Sequence, residues 1–145
     1  VGPQPGALGV LASACYALAA VAVMIGAVAS GFLAPATVSG IAGADDAARA
    51  VMMSVLHYTG ELNEAFAKVH VILSGVAILL WSLAMLGDER GSRPLGVYGA
   101  SIGVALPAGV LSGMLRLDIH GFGLVVLTQG IWMMWIARRL WTVRW

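Results

Sequence analysis

Seven ionisable residues have types and spacing that would do chemistry if the fold gathers them. Glu61, Glu64, Lys68 and His70 lie in one short stretch, and Arg116, Asp118 and His120 in another. At about 100° per residue, His57, Glu61, Glu64 and Lys68 share one helix face if no break intervenes, and Gly60 is a candidate break. Glu64 and Lys68 stand in the favourable i,i+4 order. Asn63 and His70 point roughly 120° or more away from that face, with Ser74 one turn below His70.

Three chemistries fit these residue types. His70 and His120, on different helices, would supply two imidazoles to a haem iron. With a carboxylate from Glu64 or Asp118, the same histidines would make a site for zinc, manganese or iron. Alternatively, His70, Glu64 or Asp118 would act as acid and base on a lipophilic substrate, with the helix carrying Met52 and Met53 as a lid. Against haem, His70 is expected several ångströms deeper than His120, at about 1.5 Å per helical residue. The plain alternative is an interfacial ion-pair network of Glu61, Asn63, Glu64, Lys68 and Arg116 with no chemistry of its own. No phosphate-binding loop, nucleophile elbow, paired-cysteine or helical zinc motif is present. The single cysteine, Cys15, excludes an internal disulfide and a thiolate metal cage.

The elements that must position these groups are set by composition. Hydrophobic residues make up 60% and charged residues 10% of the 145, against about 25% charged in soluble domains. That is too little charge to clothe a soluble fold, so the chain reads as an integral membrane protein. Eight Lys and Arg against seven Asp and Glu leave no basic footprint for nucleic acid. The apolar runs are continuous rather than alternating, which selects helices over barrel strands. The expected fold is an all-α bundle of four transmembrane helices at about 7–33, 61–86, 94–115 and 119–137. The first is read as a retained span, because Val1 to Pro5 lacks the basic start of a signal peptide.

Between the first two spans, Asp45 or Asp46 caps a short interfacial helix at about 45–57. Gly60 then breaks the chain and Thr59 caps the second span. Pro35 ends the first span, Gly87 to Gly91 stops the second, and Arg138-Arg139 ends the fourth. Arg90, Arg93, Arg138, Arg139 and Arg144 outnumber Arg49, Lys68 and Arg116 on the other side. This places both termini in the cytoplasm of a multi-pass protein of the cell (inner) membrane. The start of the second span and the 116–120 turn then share the non-cytoplasmic side. Trp132, Trp135 and Trp141, with Trp81, read as an aromatic belt.

Gly99/Gly103 and Gly109/Gly113 are GxxxG pairs, which serve either a homo-oligomer seam or packing inside the bundle. Pro107 is expected to kink the third span. Gln129 needs a partner on another helix. Taken together, the leading expectation is a non-catalytic subunit or oligomeric scaffold, with the lipid bilayer and further membrane subunits or copies of itself as partners. The haem- or metal-binding redox protein and the enzyme or carrier for a lipophilic molecule are the two alternatives.

Overall fold

The computed structural model describes residues 6–88 and 92–143. The expectations placed on Val1 to Pro5, on the stop at Glu89 to Gly91 and on Arg144 lie outside them. The described residues form α1 (Ala7–Val28), a π-helical turn (Ala29–Leu33), α2 (Ala34–Ile41), α3 (Asp46–Gly87), α4 (Arg93–Leu111) and α5 (Ile119–Val143), with no strand among them. Four stretches are long and apolar enough to cross a membrane: Ala7–Ile41, Asp46–Gly87, Arg93–Leu111 and Ile119–Trp141. The all-α membrane bundle is therefore present, and this is a multi-pass membrane protein.

Several boundaries differ from the sequence expectation. Pro35 does not end the first span. A proline removes an amide donor and its ring collides with the carbonyl four residues back. The chain accommodates this by widening one turn, so that the Ala34 N–H donates to the Ala29 carbonyl, and the helix continues to Ile41. The Ser30 and Thr37 hydroxyls donate to the Gly26 and Leu33 carbonyls at 3.0 and 2.9 Å across the same stretch.

The separate interfacial helix at about 45–57 is likewise absent. Asp45 does cap, with its Oδ1 accepting from the Ala48 amide at 2.7 Å, but α3 then runs unbroken to Gly87. A glycine inside a helix costs only about 1 kcal/mol relative to alanine, too little to stop a helix with good helix-forming turns on either side of it. Thr59 is accordingly no cap; it is buried mid-helix and its hydroxyl donates back to the Val55 carbonyl at 2.8 Å. At the other end of the chain, α4 stops at Leu111 rather than near 115, because Gly113 takes φ 74°. The Gly113 and Leu115 amides fold back to the Val110 and Gly109 carbonyls, a left-handed glycine stop. Arg138 and Arg139 do not stop α5, since arginine is a good helix former and ends only the apolar body.

The chain divides into two compact units. Residues 20–70 make a helical hairpin. Gly26 packs on α3, where an added Cβ would lie 3.0 Å from Asn63 Oδ1 and 3.6 Å from Phe66 Cβ. Gly40 sits over Met52, 3.2 Å from its Cε by the same construction. These two contacts fix an antiparallel register around the 42–45 turn.

The other unit comprises residues up to 19 and from 71 onward. Val71, Leu106, Val110 and Val125 form one core, and Ile78, Leu95 and Trp132 a second. Gly96, Gly99 and Gly103 line the face of α4 turned to α3. A Cβ on Gly103 would stand 2.9 Å from both the Gly75 carbonyl oxygen and the Leu79 amide nitrogen. The Gly99/Gly103 pair thus works inside the bundle, as backbone approach in lipid requires. Pro107 packs its ring on Gly75. Gln129 finds its partner across the core, donating from Nε2 to Ser74 Oγ at 2.8 Å.

Candidate functional site

Because α3 is continuous, the conditional face exists. His57, Glu61, Glu64 and Lys68 are all exposed and lie within about 60° of one another. Lys68 Nζ and Glu64 Oε1 are 2.7 Å apart, each side chain about half exposed (50% and 52%). A pair this wet contributes little to stability, about 0–1 kcal/mol. Its consequence is a charged flank running along the hairpin. Asn63 belongs instead to the face packed on Gly26, and His70 is half-buried at the end of that face.

The second group lies in the other unit. Arg116 is exposed in the turn after α4, and His120 is exposed in the first turn of α5. Asp118 is the cap of α5: its Oδ1 accepts from the Gly121 amide at 2.9 Å and the His120 amide at 3.1 Å. The Gly121 amide is the main reason its carboxyl is held below the usual carboxylate range, helped by the His120 amide and by the nearby His120 and Arg116 charges. A carboxylate stabilised as an anion in this way is a poor proton acceptor, so the observed work of Asp118 is capping.

The two histidines considered for haem, His70 and His120, belong to different units. Neither unit alone supplies the ligand pair. Among the described residues, no three His, Cys, Asp or Glu side chains gather in a way that would hold a metal ion.

No known protein family, curated protein or solved structure matches this chain. Its function must be read from its own surfaces.

The surface that sequence reasoning missed lies beside the charged flank. Val51, Val55, Tyr58, Leu62, Ala65 and Val69 recur along α3 in steps of four and three. This is the spacing of a helix seam made to receive a second helix. Leu62 is half-buried and the other five are exposed, Val51 at 64% and Tyr58 at 67%. The signal was in the sequence, but an expected break at Gly60 cuts the stripe into two pieces too short to register. The stripe lies about 100° from the Met52, Leu56, Asn63 and His70 positions of the face turned to the hairpin's own partner helix.

The Asp118 cap makes a pH prediction. A carboxylate with a lowered folded-state pKa adds stability that is present above its unfolded value and is lost as pH falls through the folded value. Amide exchange protection at Gly121 and His120 is expected to hold at neutral pH and to fall below the usual carboxylate range. Asp118→Asn, which keeps an acceptor without the charge, should flatten that dependence. Equal acid sensitivity in Asp118→Asn would show that the cap's charge is not its source.

Proposed function

We propose that this protein is a non-catalytic membrane subunit that holds a different membrane protein through the seam of α3. The observation that carries the reading is the uncovered stripe from Val51 to Val69. About twenty apolar residues suffice to cross a bilayer, and residues 69–86 already form such a body. The earlier part of α3 carries Asp46, Arg49, Glu61, Glu64 and Lys68, which are costly in hydrocarbon. An apolar seam on that part is therefore not explained by lipid contact along its whole length, and exposed apolar stripes of this kind mark interfaces.

Charge favours a different chain over a second copy as the occupant. Glu61, Glu64 and Lys68, the charges alongside the seam's later turns, lie on one side of it, about 80–140° away, so two parallel copies would not set opposite charges against each other. Glu61 stands exposed without an ion-pair partner among the described residues. A helix with an apolar heptad face and a basic residue opposite Glu61 fits it.

Photo-crosslinking residues placed at Val51, Val55 and Tyr58 in native membranes test this. One discrete adduct with another membrane protein is expected from all three, and none from Leu127 on α5. Val55→Asp should abolish the Tyr58 adduct without altering the thermal unfolding of the purified chain. Adducts with lipid alone, or labelling that ignores the four-three spacing, would overturn the reading. An adduct of two copies of this chain would overturn the choice of partner.

A further inference from the structure

The seam of α3 is one wall of a wider surface. On α1, Ala22, Gly26 and Ala29 are buried positions of one helix face, and Gly26 packs on Asn63 and Phe66 of α3. Val21, Ile25 and Val28 come just before them, and with Phe32 of the π turn they recur in steps of four and three. All four are exposed. The α3 seam has the same relation to its helix: Tyr58, Leu62 and Ala65 come just before Thr59, Asn63 and Phe66 of the inward face. In two right-handed helices running antiparallel, the residue before each packed position falls on the same side of the pair. The α1 stripe and the α3 seam therefore stand side by side as the two walls of one apolar groove within residues 20–70.

The register set at Gly26 and Gly40 gives the groove its depth. Val21 stands about level with Val69 and Ile25 with Ala65. Val28 is level with the turn carrying Glu61 and Glu64, and Phe32 with the turn carrying His57 and Gly60. Ionisable side chains place those last two levels outside hydrocarbon. No Asp, Glu, Lys, Arg or His lies between residues 20 and 44. The α1 wall therefore carries its apolar face past the bilayer, and Phe32 is 73% exposed there. The opposite flank of the hairpin, at Ala27, Ser30, Gly60 and Glu64, is small or polar. An exposed apolar surface confined to one side in this way marks an interface.

We infer, on the reading of the α3 seam as a docking face, that this groove seats one helix of the partner protein. That helix crosses the bilayer and then stays helical, with one apolar face, for about 27 Å past the hydrocarbon. This is the length of α3 from Val69 to Val51 at about 1.5 Å per residue. A helix laid in a groove anchors itself with residues three and four apart, which matches the spacing of both stripes. Lipid would cover Val21 and Val69 but not the walls level with Glu61. A helix confined to water would cover the outer walls and leave the inner ones bare. A second copy would bring groove against groove about a two-fold axis, with no ridge to fill either.

The experiment places photo-crosslinking residues at Ile25 and Ala65, which stand level on opposite walls, and at Val51, in the full chain in native membranes. The adducts are digested and their attachment sites mapped by mass spectrometry. Ile25 and Ala65 are expected to join one partner protein at sites within about one helical turn of each other, and Val51 to join the same segment about 14 residues away. Ala27 and Gly60, on the other flank, should give no adduct. Val28→Trp, which fills the groove from an exposed position, should lower a Tyr58 adduct about tenfold. Partner adducts from Ala65 and Val51 with none from Ile25, and a Tyr58 adduct indifferent to Val28→Trp, would leave the seam as a docking face and overturn the groove. No partner adduct from either wall would overturn both. Attachment sites scattered over separate segments of the partner, an Ile25 adduct with lipid alone, or an adduct of two copies of this chain would overturn the single partner helix.

Discussion

Gly103→Ala is expected to lower unfolding free energy by about 1–3 kcal/mol or more, the range for overpacking a well-filled interior. Its new Cβ would be 2.9 Å from the Gly75 carbonyl oxygen and 2.9 Å from the Leu79 amide nitrogen, both backbone atoms of α3. Backbone cannot swing aside as a side chain does, so the two helices must separate. In lipid, helices associate through close packing rather than a hydrophobic drive, so a separation removes most of what holds α3 to α4. Gly130→Ala is the control, because a Cβ there meets nothing within 4 Å. It should be neutral or stabilising by about 0.5–1 kcal/mol through helix propensity. Reversible unfolding in lipid discs measures both. Equal effects of the two substitutions would show that the α3–α4 contact is looser than described.

The contrast between those glycines shows what a sequence reveals and what it hides. Four apolar runs in so uncharged a chain leave helices in a membrane as the only arrangement that satisfies the backbone, and the structure has them. Where those helices end was less legible. Proline, glycine and arginine are read as stops at Pro35, Gly60 and Arg138, yet the first two cost a helix only an amount that neighbouring turns can offset, and arginine is itself a good helix former. Pro35 is absorbed by a π turn and Gly60 by the turns around it. Gly113 did stop α4, and the difference is backbone conformation, φ 74°, which residue type alone does not disclose.

The same limit applies to the candidate site. The His57, Glu61, Glu64 and Lys68 face followed from helical arithmetic once the helix was whole. The need of Gln129 for a partner also followed from its depth, although only the fold names Ser74. The GxxxG pairs were ambiguous in principle, because close backbone approach looks alike within one chain and between two. Trp132 was misjudged for a related reason. A tryptophan near terminal arginines reads as an interfacial anchor, and Trp135 and Trp141 are indeed exposed, but Trp132 is fully buried.

That burial makes Trp132→Ala the most damaging single change expected outside the glycine face. The ring is 0% exposed, packs with Ile78 and Leu95, and stacks on Trp81 at 6.0 Å, which in turn meets Tyr16 at 5.6 Å. Truncating a buried tryptophan costs about 3–5 kcal/mol by contact loss and cavity formation. The dispersion part of that cost persists in a bilayer, where the cavity remains inside the bundle. The indole N–H adds nothing to oppose this, since Trp132 Nε1 and Ser82 Oγ are both buried, face the same small space over Gly99, and have no hydrogen-bond partner among the described residues. Removing a buried polar group that lacks a partner is neutral or stabilising, because its desolvation cost disappears with it. Trp132→Phe should therefore lose much less than Trp132→Ala, and Ser82→Ala should lose nothing. If Ser82→Ala proves as harmful as Trp132→Ala, the two polar atoms are bridged in the folded protein and the stability of this core comes from that bridge rather than from the packed ring.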